Sequence, residues 1–226
     1  MNQGESLLLT LQLGDSFFPS GASAHSYGLE GLSSAGDVTD RGGLEAFLEA
    51  QIEQRWASSD RVALLHSYAA GSDLEAVAGI DRFVDRSTCV ASWRVGGRRL
   101  GRALLSTHAK LGTPLAADYE GWVSSGRAPG QTSVVQGLLG FALGLSASTA
   151  AGLSAYGLSV GIVGAGLRLG IIGHLDAQRL LLGQRARTER ALGQPLPPLA
   201  ELGAWVPAAE VGSMSREARG GRLFAS

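Results

Sequence analysis

A forty-residue stretch without a charged side chain, from Ala128 to Leu167, limits how this 226-residue chain can fold. A stretch of that length could cross a bilayer twice as a helical hairpin. Its composition argues against lipid, because glycine, alanine, serine and threonine supply much of it and Gln131 and Gln136 interrupt it. We therefore favour a buried helical hairpin of a soluble protein. The alternative is a small membrane protein with a hairpin at residues 128–167.

Small residues recur at every fourth position of this stretch. They are Gly140, Gly144, Ser148 and Gly152, followed by Gly157, Gly161 and Ala165. This spacing predicts a ridge along which two helix backbones can approach closely. Each glycine inside a helix costs roughly 1 kcal/mol relative to alanine. We therefore expect close tertiary packing along the ridge to offset that cost.

The rest of the chain also has a helical pattern. One apolar stripe with helical spacing consists of Leu44, Phe47, Leu48 and Ile52, and Asp40 is placed to cap its N-terminus. No segment shows the sustained alternation of apolar and polar residues that is typical of strands. Breaks are predicted at Gly96-Gly97 and at Gly112-Thr113-Pro114. The pattern predicts an all-α fold, a compact helical bundle-like single domain.

The composition changes near the C-terminus. Prolines 195, 197, 198 and 207 interrupt any helix over residues 193–212. We expect a helical domain over residues 1–192, then a Pro-rich connection and a partner-docking tail over 193–226. The chain ends in Arg222, Leu223, Phe224, Ala225 and Ser226. A basic, apolar and aromatic ending is typical of a docking peptide, and a frayed terminus is the alternative.

The residue inventory excludes several catalytic classes. The single lysine, Lys110, is not in a Gly-Lys-Ser/Thr context, which excludes a P-loop. The single cysteine, Cys89, cannot form an internal disulfide and suits a reducing compartment. A Gly-x-Ser-x-Gly sequence surrounds Ser159, but no histidine follows the next acid, so we interpret it as a chance match and not as a serine hydrolase.

Charge is divided between the two parts of the chain. Residues 1–85 carry 13 acidic residues and 4 arginines, whereas residues 86–226 carry 15 basic residues and 7 acidic ones. The net charge is only −1, so no bulk attraction to nucleic acid or anionic lipid is expected. Two faces of opposite sign can orient charged protein partners, and two simply solvated faces are the alternative.

Several segments, in order along the chain, resemble the urease accessory protein UreF family. The N-terminal segments are Leu11–Ser16, Pro19–Gly21 and His25–Glu30. The later ones are Gly97–Leu100, Gly166–Gly170, His174–Gln178 and the ending Arg222–Ser226. Each segment is short, but together they cover nearly the whole chain.

The resemblance implies a cytoplasmic all-α protein, a homodimer, without catalysis of its own. Such a protein joins UreD (also called UreH) and the GTPase UreG on apo-urease, promotes nickel insertion and regulates GTP hydrolysis by UreG. Nickel and GTP are then handled mainly by partner proteins, with no cofactor or metal site on this chain and no nucleic-acid or membrane partner.

The resemblance also implies which residues bind partners. Arg222, Leu223 and Phe224 would anchor docking to UreD. The N-terminal recognition region would be shaped by Asp15, His25, Tyr27, Gly28 and Glu30. Arg168 and Gln178 would belong to a second block.

Overall fold

Helices and connecting turns account for the part of the chain that the structure, a computed structural model, describes: residues 2–15, 17–19 and 25–217. No strand occurs within those ranges, and the all-α single-domain prediction is confirmed. The helices are α1 (Gln3–Gly14), α2 (Leu29–Ala35), α3 (Arg41–Ala50), a π-helical segment (Gln51–Asp60), α4 (Arg61–Ala70), α5 (Leu74–Ser87), α6 (Ala91–Lys110), α7 (Ala116–Ser124), α8 (Thr132–Ala142), α9 (Ala147–Arg168), α10 (His174–Leu192), a 3₁₀ turn (Leu199–Glu201) and α11 (Pro207–Glu217).

The predicted apolar stripe lies on a rod that runs without interruption from Arg41 to Ala70 through α3, the π segment and α4. The rod begins as expected, since a carboxylate oxygen of Asp40 accepts a hydrogen bond from the N–H of Gly43 at 2.8 Å. All four stripe residues are buried. The stripe and its cap are therefore confirmed, whereas the π segment in the middle of the rod had no counterpart in the sequence pattern.

Two apolar clusters fill the interior and meet at α4. One cluster joins α2, α3, the π segment, α9 and α10, and the other joins α5, α6, α7 and α8. Neighbouring α4 residues divide between them, with Leu64 in the first cluster and Ala63 in the second. This arrangement places α4 at the centre of the molecule, where it packs most extensively against α8.

The uncharged stretch forms α8 and α9, which pack on each other as a helical hairpin. The predicted small-residue ridge is only partly correct. At Gly140 an added Cβ would lie 2.6 Å from the Cβ of Ala150, so close packing requires glycine there. Gly144 instead lies in the turn between the helices, with φ of 68° and open space around it. Its role is conformational, because a left-handed backbone favours glycine.

One helix, α9, is long and apolar enough to span a bilayer among the described residues. In its most apolar window 61% of the residues are buried inside the protein. The other helix of the hairpin, α8, has only 11 residues and is too short to span. Burial of α9 in the first apolar cluster is the property of a core helix, so no observation favours the membrane alternative.

Gly96 and Gly97 lie inside α6, and the predicted helix break at these residues is wrong. Close contacts explain the glycines. A Cβ at Gly96 would lie 2.7 Å from the His25 ring, and one at Gly97 would overlap the side-chain amide of Gln131. The second predicted break is correct, because α6 ends at Lys110 and Gly112 has φ of 75°.

The Pro-rich connection lies on the π segment and α4. Arg61 donates hydrogen bonds to the carbonyl oxygens of Gln194 and Pro195 at 3.1 and 3.2 Å. The N–H of Trp205 donates to the carbonyl oxygen of Gln54 at 3.1 Å. The prediction that no helix forms over residues 193–212 is wrong from Pro207 onward, where α11 begins, because proline suits the first turn of a helix. The boundary at residue 192 stays a prediction.

Candidate partner-binding site

The start of α2 brings together four of the residues predicted to bind partners: His25, Tyr27, Gly28 and Glu30. His25 and Glu30 are 3% and 2% exposed, and Gly28 is also buried. Tyr27 is half-buried. These residues therefore shape the region from within, and only Tyr27 presents appreciable surface to a partner.

His25 packs against the backbone of α6 at Gly96. Burial, together with the smaller effect of the positive charges of Arg99 and Arg55, lowers the pKa of His25 from 6.5 to about 4. The imidazole is therefore neutral at pH 7. Its ring centre lies 6.0 Å from that of Tyr27, so the two rings form one wall of the region.

The backbone at Tyr27 and Gly28 makes a left-handed turn into α2. Their φ angles are 53° and 94°. A Cβ at Gly28 would overlap the carbonyl oxygen of Ala209 in α11, so glycine is required for both the turn and the contact. Tyr27 adopts this conformation at a cost of the order of 1 kcal/mol. In this conformation the Tyr27 ring faces Arg55 of the π segment.

Arg55 of the π segment lies between two aromatic rings. Its guanidinium carbon is 4.6 Å from the ring centre of Tyr27 and 5.1 Å from that of Trp93. The same guanidinium forms an ion pair with Asp60 at 3.1 Å and donates to the side-chain oxygen of Gln51 at 3.2 Å. These contacts fix a cation and two aromatic rings in one place.

The sequence did not single out Arg55 or Trp93. Each is an ordinary helical residue, and they come from helices that are distant along the chain. No spacing rule relates residues of different helices, so only the tertiary structure reveals that Arg55 and Trp93 are neighbours.

The C-terminal helix α11 is seated directly on α2. A Cβ at Gly31 would overlap the carbonyl oxygen of Gly212, so the two backbones are in contact. The indole N–H of Trp93 donates a hydrogen bond to the hydroxyl of Ser213 at 2.7 Å. The helix α11 thus joins α2 and α6, and its residues Ala209, Gly212 and Ser213 lie beside Gly28 and Gly31. Arg222, Leu223 and Phe224 lie outside the described residues.

The other predicted site residues lie on different elements. Asp15 caps the end of α1, is exposed, and accepts a hydrogen bond from the N–H of Phe17 at 2.8 Å. Arg168 is the last residue of α9, and Gln178 lies in α10; both are exposed. The main contacts of α10 are with α9, the π segment and α3, not with α2 or α11. Gln178 is therefore not part of the cluster at His25.

A polar cluster formed by Arg98, Asp85 and Gln131 fixes the position of α6. Two nitrogens of Arg98 donate to the two carboxylate oxygens of Asp85 at 2.6 and 2.5 Å, and the side chain of Gln131 donates to Asp85 at 2.8 Å. Burial acts to raise the pKa of Asp85, but these hydrogen bonds outweigh it and hold the pKa below its usual value. The cluster ties α6 to α5 and α8, so the glycines that contact His25 and Gln131 keep their positions.

A cavity of about 250 Å³ opens beside the site, and its lining includes His25, Arg55, Trp93, Cys89 and His108. Among the described residues, no group of three or more histidine, cysteine or acidic side chains is arranged to hold a metal ion.

The serine motif of the uncharged stretch is part of a continuous helix. Ser159 lies in the middle of α9, is 3% exposed, and donates its hydroxyl to the carbonyl oxygen of Ala155 at 2.9 Å. A nucleophile elbow requires a strand, a sharp turn and a helix in that order. The interpretation as a chance match is therefore confirmed.

Acid is expected to destabilise the protein because His25 is neutral in the folded state. Its pKa is about 4 when folded and near 6.5 when unfolded, so the unfolded chain binds the extra proton between these values. The stability that neutral His25 contributes is complete above pH 6.5. It is lost as the pH falls towards 4, and the loss is about 3 kcal/mol at most. Urea unfolding at several pH values, compared between wild type and His25→Gln, measures the contribution.

The variant should show a flatter pH profile over that window, whereas the exposed-site control His174→Gln should follow wild type. Equal slopes for wild type and His25→Gln would contradict the assignment. The comparison cancels His108, whose pKa is also lowered by burial.

Comparison with known proteins gives a consistent result. The family model of UreF matches residues 38–185. The chain is 36% identical to the urease accessory protein UreF of Trichodesmium erythraeum over 183 residues, 77% of each chain. It is 30% identical to that of Kocuria rhizophila over 227 residues, 97% of each chain. It is 29% identical to that of Actinobacillus pleuropneumoniae over 220 residues, 96% of this chain and 97% of the relative.

Proposed function

This chain belongs to the UreF family of urease accessory proteins, and on that premise we propose that it is a non-catalytic chaperone for nickel insertion into urease. In this role it joins UreD (UreH) and the GTPase UreG on apo-urease and regulates GTP hydrolysis by UreG. The observation that carries the proposal is the seat of α11 on α2. This contact supports a shared binding surface, because Gly212 and Ser213 of α11 lie next to Gly28 and Gly31.

We base the proposed binding surfaces for UreD and UreG on the contact between α11 and α2. UreD binds the tail residues Arg222, Leu223 and Phe224 together with the exposed surface around Tyr27. UreG binds a facing surface of the helical domain. A fixed base supports tail docking because the contacts of α11 with α2 are in place before a partner binds.

We also propose that the protein acts in the cytoplasm as a homodimer. Leu7, Leu8 and Leu11 of α1 are 59%, 69% and 61% exposed, and Tyr156 of α9, beside the end of α1, is 49% exposed. An apolar face of this kind supports an interface between copies, because contiguous exposed apolar residues mark protein interaction sites.

Nickel content of urease tests the proposed role. Urease is purified from cells that express the urease operon with and without this chain, at limiting nickel. We expect nickel-poor, inactive urease without the chain and restoration when the chain is supplied from a plasmid. A plasmid carrying a frameshifted copy serves as the control. Equal nickel content in both strains would refute the maturation role.

A further inference from the structure

The outward face of α6 carries a line of cations. Val95, Arg99, Arg102, Ser106 and Lys110 follow each other at helical spacing and therefore lie on one face. Val95 is 63% exposed, and Arg99, Arg102 and Lys110 are exposed as well. With a rise of about 1.5 Å per residue, the three cations extend over roughly 16 Å. We call these five residues the α6 stripe.

The cations of the stripe lack the acidic partners that other arginines have. Arg187 and Arg190 pair with Glu49 or Glu53, and Arg98 pairs with Asp85. Among the described side chains, by contrast, no ion pair involves Arg99, Arg102 or Lys110. The neighbouring helix α7 carries two acidic residues, but neither pairs with the stripe. Three exposed positive charges in a protein of net charge −1 therefore remain without compensation on this face.

The inner face of α6 fixes the direction of the stripe. A Cβ at Gly101 would overlap the carbonyl oxygen of Gly130, and Gly96 contacts the His25 ring. Leu100, Leu104 and His108 are buried on the same side. The helix cannot rotate about its axis without breaking these contacts, so the cations stay directed at solvent. The backbone positions of these residues are therefore set before any partner binds.

We propose that the α6 stripe docks an acidic protein surface within the urease maturation complex, and the inference rests on the proposed function. Exposed complementary charges act mainly on the association rate and on orientation. Val95 on the same line supplies an apolar contact, as interfaces combine arginine with apolar residues. Three cations would neutralise few phosphates, and the whole chain is slightly acidic, so an acidic protein fits better than nucleic acid or an anionic bilayer.

Charge reversal on the stripe tests the proposal. Full-length wild type and the double variant Arg99→Glu/Arg102→Glu are immobilised, and binding of purified UreG, UreD and apo-urease is measured by biolayer interferometry at several salt concentrations. We expect the double variant to bind at least one of the three at least tenfold more weakly. The salt dependence of that interaction should also become less steep.

Two control variants show whether a loss of binding is caused by the charges of the stripe. The first keeps those charges, and the second changes the net charge of the protein at another place. Arg99→Lys/Arg102→Lys keeps the charge and should bind within about threefold of wild type. Arg185→Glu places a reversal on exposed α10, outside the stripe, and should leave the same interaction within about twofold of wild type. Circular dichroism of every variant should match wild type, because all substituted side chains are exposed.

The outcomes are distinguishable. If wild type binds the three proteins and charge reversal leaves every affinity within twofold, the stripe proposal is wrong while the proposed function stands. Arginine-dependent binding of a DNA duplex or of phosphatidylserine vesicles, with unchanged protein binding, would also overturn it. If wild type binds none of the three proteins, the proposed function itself fails, and the stripe proposal fails with it.

Discussion

Replacing Asp81 by alanine is expected to lower the free energy of unfolding by about 3–5 kcal/mol. The carboxylate is fully buried. It accepts hydrogen bonds from the hydroxyl of Tyr119 at 2.7 Å and from the N–H groups of Gly130 and Gln131 at 2.7 and 2.9 Å. Alanine would leave three buried donors without an acceptor, each costing about 1–3 kcal/mol.

The loss should be visible as a lower urea midpoint followed by circular dichroism, with an unchanged slope. The conservative variant Asp81→Asn keeps one acceptor oxygen and should lose less than alanine does. The exposed-site control Asp37→Ala should change stability by no more than about 0.5 kcal/mol. A loss below about 1 kcal/mol for Asp81→Ala would show that these hydrogen bonds are replaced by water, against the burial described.

Deleting residues 216–226 is expected to weaken binding to UreD at least about 100-fold while the helical domain stays folded. The deletion removes a segment with the arginine and aromatic character of interface hot spots. It retains Gly212 and Ser213, which make the contacts of α11 with α2 and with Trp93. Co-purification of UreD with the tagged chain, followed by affinity measurement, is the readout.

A full-length variant separates tail chemistry from chain length. Replacing Arg222, Leu223 and Phe224 together by alanine should cause nearly the same loss as the deletion. Both variants should keep the melting temperature of wild type within about 2 °C, because they do not alter the seat of α11. Unchanged co-purification of UreD with either variant would contradict the docking role of the tail.

Local patterns predicted the helical elements well because they depend on neighbours along one helix. The stripe from Leu44 to Ile52 and its cap at Asp40 required only the periodicity of a helix and one short polar side chain. The assignment of the uncharged stretch to a buried hairpin also followed from composition. The ionic and aromatic contacts of Arg55 could not be predicted, since its partners Tyr27 and Trp93 belong to other elements.

The structural role of individual glycines could not be predicted reliably from the sequence. The same residue type serves a helix contact at Gly140, a left-handed turn at Gly144 and a helix interior at Gly96. Spacing assigned Gly140 correctly and Gly144 incorrectly, and the Gly96-Gly97 pair was wrongly predicted to break a helix. A glycine removes a side chain in every context, so its function depends on which atoms of another element come close or on the sign of φ.

The sequence by itself determined the all-α class, the helical stripe of the rod and, through the order of its motifs, the family. These properties depend on periodicity and residue identity, which are present in a linear chain. Only the tertiary structure decided that α11 returns to α2, that His25 is buried and neutral, and that Arg55 lies between two rings. Each of these depends on distances between atoms far apart along the chain, and those distances are set when the helices pack.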